Sequence, residues 1–225
     1  GSLSNKGFEV GLNAKVLNLK DFYWEVGVSA GHYKNEITTL SNETFSNTIM
    51  PNGSYTTEVY GGEVLTSIGH AAGVFYGYKT NGVFATKADA QTANLKIRNA
   101  DGSFSSFGAG DVIFADMPDA NGVKDGIIDE NDKQIIGDPN PELYGNFSNK
   151  FTYKNLSLAA LFTYSYGNDV YNYVRSQLEA GMDYSNQSTV MLSRWRGEGQ
   201  ITSQPRAVID DPMGNARFSD RWIED

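Results

Sequence analysis

The sequence predicts a mainly β fold: antiparallel hairpins from an outer-membrane β-barrel, with long loop insertions and one or two short helices, and too few strands to close a barrel alone. Three observations predict it. Two segments alternate apolar and polar residues over ten or more positions. That is longer than the usual strand of about five or six residues and suits a membrane-crossing strand of about 9–11. Each segment doubles back through a turn too short to hold a helix. The connections outside these hairpins are far longer than a compact domain normally tolerates.

The first hairpin spans residues 3–35, after Gly1–Ser2, which reads as an expression scar. Phe8, Val10, Leu12, Ala14 and Val16 alternate with Glu9, Gly11, Asn13 and Lys15. Past the turn Asn18–Asp21, Trp24, Val26, Val28 and Ala30 alternate with Glu25, Gly27, Ser29 and Gly31. One face is apolar and the other small or polar, as lipid on one side and a water-filled lumen on the other require.

Residues 36–142 are a long extracellular loop region, rich in Gly, Thr, Asn and Ser up to residue 110. Short strands show best at Gly73–Phe84, and Asn52–Gly53, Gly61–Gly62 and Asn81–Gly82 mark turns. Ala88–Lys96 suits one or two helical turns, and residues 111–138 make an acidic loop.

The second hairpin, 143–166, places Phe147, Phe151 and Tyr153 on one face. After Lys154–Asn155, Leu156, Leu158, Ala160, Phe162, Tyr164 and Tyr166 share one face of the next strand. A second extracellular loop region fills 167–225. Val170, Tyr173, Val174 and Leu178 at helical spacing, with Asp169 in the first turn, predict a helix over Asn168–Glu179, and a second is expected at Ser188–Trp195.

Short turns at one end and long loops at the other are the layout of an outer-membrane barrel. A soluble sandwich with one wet face would show the same alternation, but it would cover the apolar face that a barrel presents to lipid. Four strands leave edges open where closure needs about eight or more, so the isolated chain is expected to self-associate. No apolar run is long enough for a transmembrane helix, and no signal peptide is present. The absence of cysteine removes disulfides and Cys-based metal sites.

Charge is concentrated. Between Asp101 and Glu142 ten acids face only Lys124 and Lys133, so this stretch holds nearly all of the net charge of −9. Such a patch attracts cations and repels nucleic acid, which is excluded as a partner. Within it, the segment from Asp119 to Asp132 resembles a calcium-binding EF-hand loop counted back from its end. Asp132 takes the last position, Asp129 and the Ile127 carbonyl precede it, Gly126 makes the sharp turn and Asp125 comes before that. If Val123–Lys124 bulges out, Asp119 and Asn121 supply the first two ligands. Hard oxygen donors suit Ca²⁺. The alternative is an Asx-rich turn whose carboxylates cap backbone amides.

Enzyme chemistry finds little support. Gly27-Val-Ser29-Ala-Gly31 matches the nucleophile-elbow pattern, but that elbow needs a strand-to-helix turn and a downstream His. Here it lies inside a continuous strand, with only His32 and His70 after it. No two acids are singled out as a glycosidase pair. Aromatics near loop–strand junctions (Phe75, Tyr76, Tyr78, Phe84, Tyr164, Tyr166, Tyr171 and Tyr173) suit an interfacial girdle and loop packing, or stacking on sugar rings in the lumen.

Several ordered motifs resemble the SusC/RagA family of TonB-dependent outer-membrane transporters. They are GVFYGYKTNGVF from Gly73, GDVIFADM from Gly110, DGIIDENDKQIIGDPNPELYGNF from Asp125, YGNDVYN from Tyr166, LSRW from Leu192 and PRAVIDDPMGNARFSDRWIED from Pro205. The opening NKGFEVGL resembles a strand start of the same family. The run from Asp111 to Asp225 is similar to the family's C-terminal half, with two extra residues near Val123–Lys124. The resemblance implies a barrel fragment lacking the coupling box and plug, set in a bacterial outer membrane. The parent would be a non-enzymatic importer of oligosaccharides or peptides, with TonB and a SusD-like surface lipoprotein as partners. From another class, a secreted all-β module that binds glycan or protein through calcium is the alternative.

Overall fold

The computed structural model describes residues 1–40, 48–49 and 53–225. The first alternating segment forms β1 (Ser2–Asn18) and β2 (Phe22–Thr39). The insertion that follows holds β3 (Thr48–Ile49), β4 (Tyr55–Val59), β5 (Gly62–Thr66), β6 (Val74–Tyr78) and β7 (Thr80–Val83). It continues with the helix α1 (Lys87–Ala93), then β8 (Lys96–Arg98), β9 (Phe104–Ser106), β10 (Val112–Phe114) and β11 (Lys133–Gly137). The second hairpin is β12 (Leu143–Tyr153) and β13 (Leu156–Tyr166). The second insertion carries β14 (Val170–Tyr171), the helix α2 (Tyr173–Leu178) and β15 (Ile223–Glu224).

The long strands form one antiparallel sheet in the order β1-β2-β12-β13. Because β2 pairs directly with β12, residues 40–142 leave and re-enter the wall on neighbouring strands. Register carries the alternation across all four strands. Leu12, Val28, Phe147 and Phe162 form one apolar row, and Gly11, Ser29, Asn146 and Thr163 form a small, polar row on the opposite face. The apolar face is bare, with Leu12 65% and Phe162 61% exposed. A sandwich would cover it, so the sandwich alternative fails here.

Both short turns lie at the same end, where the Lys154 amide donates to the Asp21 carbonyl at 2.9 Å. Near that end Trp24 stacks on Phe151 at 5.5 Å and donates its indole N–H to Asn149 at 3.2 Å. An apolar ring with one polar handle is the side chain that suits a membrane–water boundary. Among the described residues no helix is long and apolar enough to cross a membrane.

At the other end the two insertions fold together. A five-stranded sheet runs β11-β6-β5-β4-β3, flanked by the pairs β10-β7 and β8-β9. Its core of Tyr78, Phe84, Leu95, Phe107, Val112, Phe114 and Ile128 also takes Met213 from the second insertion. The upper part of β2 ties the wall to this domain. Ile37 exchanges backbone bonds with Gly69 and His70, and Asn35 accepts from the Ala72 amide at 2.7 Å.

The helices are shorter than the periodicity predicts. In place of a helix over Asn168–Glu179, Val170 and Tyr171 pair with Glu224 and Ile223. The helix starts only where Asn172 caps the Arg175 amide at 2.9 Å. Cross-strand pairing with the chain's last residues overrides local spacing. Ser188–Trp195 yields a 3₁₀ turn, Thr189–Ser193, capped by Ser188. α1 starts at the cap Thr86 and ends at Asn94 in the left-handed region. Asn52, of the expected Asn52–Gly53 turn, lies outside the described residues.

The two faces of β13 give a direct check. In the membrane-inserted receptor, Phe162→Arg is expected to lower unfolding stability in lipid by about 2–4 kcal/mol, the cost of a cation on a lipid-facing position near mid-membrane. Thr163→Arg, on the opposite face, is expected to cost under about 1 kcal/mol. Equal losses in denaturant titrations would show that the faces are wrongly assigned.

Candidate functional site

The acidic loop is built from carboxylates that each hold backbone amides. Asp119 Oδ1 accepts from the amides of Asn121 (2.8 Å) and Val123 (2.9 Å), closing a turn around Gly122 at φ +80°. The Val123 and Asn121 amides hold the Asp119 carboxyl below its ordinary pKa. Asp125 Oδ1 accepts from the Ile127 amide at 2.8 Å. Asp129 caps the 3₁₀ turn Glu130–Asp132 through the Asn131 amide, and Asp132 accepts in return from the Asp129 amide at 2.7 Å. The other Asp132 oxygen accepts from the Met117 amide at 2.7 Å. Burial raises the Asp132 pKa; its two amide bonds oppose the shift, and repulsion from Asp116 and Asp129 adds to it.

Of the six residues predicted to surround a metal, Asp119, Asp125, Ile127, Asp129 and Asp132 line one cavity of about 410 Å³, together with Asn131. Asn121 instead turns its amide group to Asp119. Among the described residues no three His, Cys, Asp or Glu side chains converge closely enough to hold a metal ion. One feature beside the loop stands unsatisfied. Asp116 accepts from the Gly126 amide through Oδ2 (3.0 Å), while its Oδ1 is buried with no hydrogen-bond partner.

A second polar centre joins the two insertions. Asp111 is fully buried. Its carboxylate takes a bidentate pair from Arg206 (2.7 and 3.0 Å), the Asn215 side-chain amide (2.9 Å) and the Gly108 amide (2.8 Å). Asn215 also accepts from the Val112 amide at 2.7 Å. Gly110, at φ +85°, packs so tightly that an added Cβ would strike the Trp195 ring at 2.5 Å.

Nearby, the Arg217 guanidinium lies over the rings of Tyr78 (4.9 Å) and Phe114 (4.7 Å) and donates to the Gly214 and Met213 carbonyls. Burial lowers the Arg217 pKa and pushes the Tyr78 phenol up to about 12. Lys133 bonds Glu63 and Glu130; burial disfavours its charge, but these two acids outweigh it and raise its pKa.

On the polar face of the wall, Glu9, Gly31 and Tyr144 share one register row. The Tyr144 ring crosses Gly31, whose missing side chain would otherwise meet the ring at 2.6 Å, and its hydroxyl donates to Glu9 at 2.7 Å. Tyr33 stands edge-on to Tyr144 at 5.9 Å.

Five of the aromatics singled out by sequence serve loop packing, while Tyr164 on the wall donates to the Ser29 carbonyl at 3.1 Å. Tyr78 and Phe84 are buried in the loop core, Phe75 and Tyr171 pack on Phe218, and Tyr173 meets Tyr60. Ser29 lies within β2 with its hydroxyl accepting from the Asn146 amide, and His32 bonds the Glu142 carbonyl. No triad forms there.

No family model matches the sequence. The chain is 29% identical over 218 residues to TonB-dependent receptor P3 of Formosa agariphila, covering 97% of this chain and 20% of that protein. It is 27% identical over 197 residues to TonB-dependent receptor SusC of Bacteroides thetaiotaomicron, covering 84% of this chain and 17% of that one. This chain is a relative of the TonB-dependent receptors. It spans about a fifth of the length of the curated relatives it matches. Its fold matches the structure of the RagAB peptide transporter with a TM-score of 0.70 at 20% identity, over 99% of this chain and 21% of that one. The likeness to the SusC/RagA family and the mainly β, outer-membrane barrel architecture expected from sequence are thus borne out.

Sequence reasoning did not find the Asp111 centre or the Tyr33–Tyr144–Glu9 group. A glycine inside a strand marks a close approach, and Gly31 carried that signal. The Asp111 centre joins residues about a hundred positions apart and leaves no local pattern.

Removing the Asp111 carboxylate leaves the buried Asn215 amide without its acceptor and frees Arg206, whose side chain is 37% exposed, to water. Asp111→Ala is expected to destabilise the loop domain by about 1–3 kcal/mol, the cost of leaving buried donors unsatisfied. Hydrogen-exchange protection should fall together around Phe84–Phe114 and Gln204–Arg217, with the wall strands unchanged. Loss confined to one insertion would refute the joining role.

Proposed function

We propose that this chain forms part of the wall and extracellular surface of an energy-coupled outer-membrane importer. The observation that carries this is the arrangement of one sheet: a bare apolar face, a polar face, short turns gathered at one end and a folded loop domain at the other. Its curated relatives are TonB-dependent receptors, which supports TonB as the energy source on the periplasmic side. Likeness to SusC and to the RagAB structure supports a SusD-like surface lipoprotein docking on the loop domain. The cargo is an oligosaccharide or a peptide, and the chain has no catalytic role.

The test is uptake. Cells expressing the full receptor are expected to import labelled oligosaccharide or peptide only when TonB is present. Accumulation that is equal in a strain lacking TonB would overturn the reading.

We also propose that the acidic loop takes up Ca²⁺ as a structural support for this surface. The donors are right in kind, hard carboxylate oxygens plus the Ile127 carbonyl, and the buried Asp116 Oδ1 lacks a partner. Closing them around an ion requires the Asp119–Asp132 loop to contract from its present form. The melting temperature is expected to rise in millimolar Ca²⁺ relative to chelator. Asp129→Asn, which keeps the cap but removes a charge, should abolish that rise. Identical melting in Ca²⁺ and chelator means that amide bonds alone hold the loop.

A further inference from the structure

We propose that Tyr144, Tyr33 and Glu9 form a saccharide subsite on the lumenal face of the wall; the inference rests on the importer reading above. Tyr144 lies flat because Gly31 beneath it has no side chain, and a Cβ there would meet the ring at 2.6–2.9 Å. One ring face is thus spent on the sheet and the other turns toward the lumen. Tyr33 rises beside it with its ring inclined by 67°, so the two rings make a floor and a side wall. Glu9 closes the far edge, held by the Tyr144 hydroxyl at 2.7 Å.

The adjoining row keeps the space open. Nothing lies within 4 Å of where a Gly11 side chain would begin, and Ser29, Asn146 and Thr163 continue that row across the sheet. Glu9, Gly11, Ser29, Gly31, Tyr144 and Asn146 border a cavity of about 550 Å³.

This chemistry fits a pyranose ring. The C–H face of a sugar covers an aromatic plane and loses apolar surface to it. A carboxylate at the rim accepts from ring hydroxyls, and such charge-assisted bonds are among the strong ones. Neither this row nor the two rows on the turn side of it carries a Lys or Arg, which disfavours phosphate or polyanionic cargo. A peptide would take its hydrogen bonds from a free strand edge, whereas here β2 and β12 are already paired on both sides.

The experiment uses the full-length receptor in detergent, titrated calorimetrically with maltoheptaose, laminarihexaose and chitohexaose, and with tetra-alanine as the peptide probe. At least one saccharide is expected to bind. Tyr144→Ala should weaken it about tenfold, the scale of one lost stacking contact. Tyr144→Phe, which keeps the floor but frees Glu9, should weaken it less. Glu9→Gln, at an exposed position, should weaken it about threefold and does not depend on refolding of the wall.

The subsite is refuted if no saccharide binds the wild type. It is refuted equally if Tyr144→Ala and Glu9→Gln leave saccharide binding unchanged, or if tetra-alanine is the probe they weaken. TonB-dependent uptake is measured in parallel to separate the two readings. Uptake that persists with binding insensitive to these variants sinks the subsite and leaves the importer. Variant-sensitive binding without TonB-dependent uptake leaves the subsite and sinks the importer.

Discussion

The loop surface depends on one buried carboxylate. Asp111 sits where the first insertion turns toward β10, yet most of its partners come from the second insertion, about a hundred residues away. A buried charge costs several kcal/mol in lost hydration, and here four donors return that cost only if both insertions are in place. The apolar packing at the same seam, where Met213 joins the cluster that holds Phe114, is tolerant of small shifts. The bidentate Arg206 pair is not, because it fixes distance and orientation together. The wall therefore carries one domain rather than two independent loops.

The same logic explains how ten acids share a short stretch. Charge repulsion alone would expand it. Instead the carboxylates of Asp119, Asp125, Asp129 and Asp132 accept from backbone amides within a few residues, and Glu130 shares Lys133 with Glu63. Amide dipoles neutralise the acids locally, at positions where a turn would otherwise leave N–H groups bare. Asp116 is only half satisfied: one oxygen accepts from the Gly126 amide and the other is buried without a partner.

How much of this was legible follows from how local each signal is. Strand alternation is repeated at every second residue, so the wall and its two faces could be read from Phe8 to Ala30 and from Phe147 to Tyr166. Helix ends were less legible, because Val170 and Tyr171 answer to Glu224 and Ile223 and not to their own periodicity. The acidic loop reads as a ligand set, and all of it but Asn121 gathers on one cavity, but sequence spacing cannot say whether an Asp side chain reaches inward or back to its own backbone. The tyrosine on Gly31 needed register as well as alternation, since Glu9, Gly31 and Tyr144 come from three strands.

The direct pairing of β2 with β12 also bears on the order in which the chain can fold. Each hairpin closes through a turn of a few residues and can form on its own. Joining them requires closing the whole of residues 40–142, and non-local closures of that kind are slow. An unstructured excursion would impose its full loop entropy on that single step. A prefolded loop domain removes most of it, because Asn140, just before β12, accepts from the Asn35 side chain of β2 at 2.7 Å and donates to the Ala72 carbonyl at 3.0 Å. Ile37 and Asn35, bonded to Gly69, His70 and Ala72, hold the departing strand against that domain. The loop domain thus acts as a template for the wall, and the seam at β2–β12 is set from the loop end of the sheet toward the short turns.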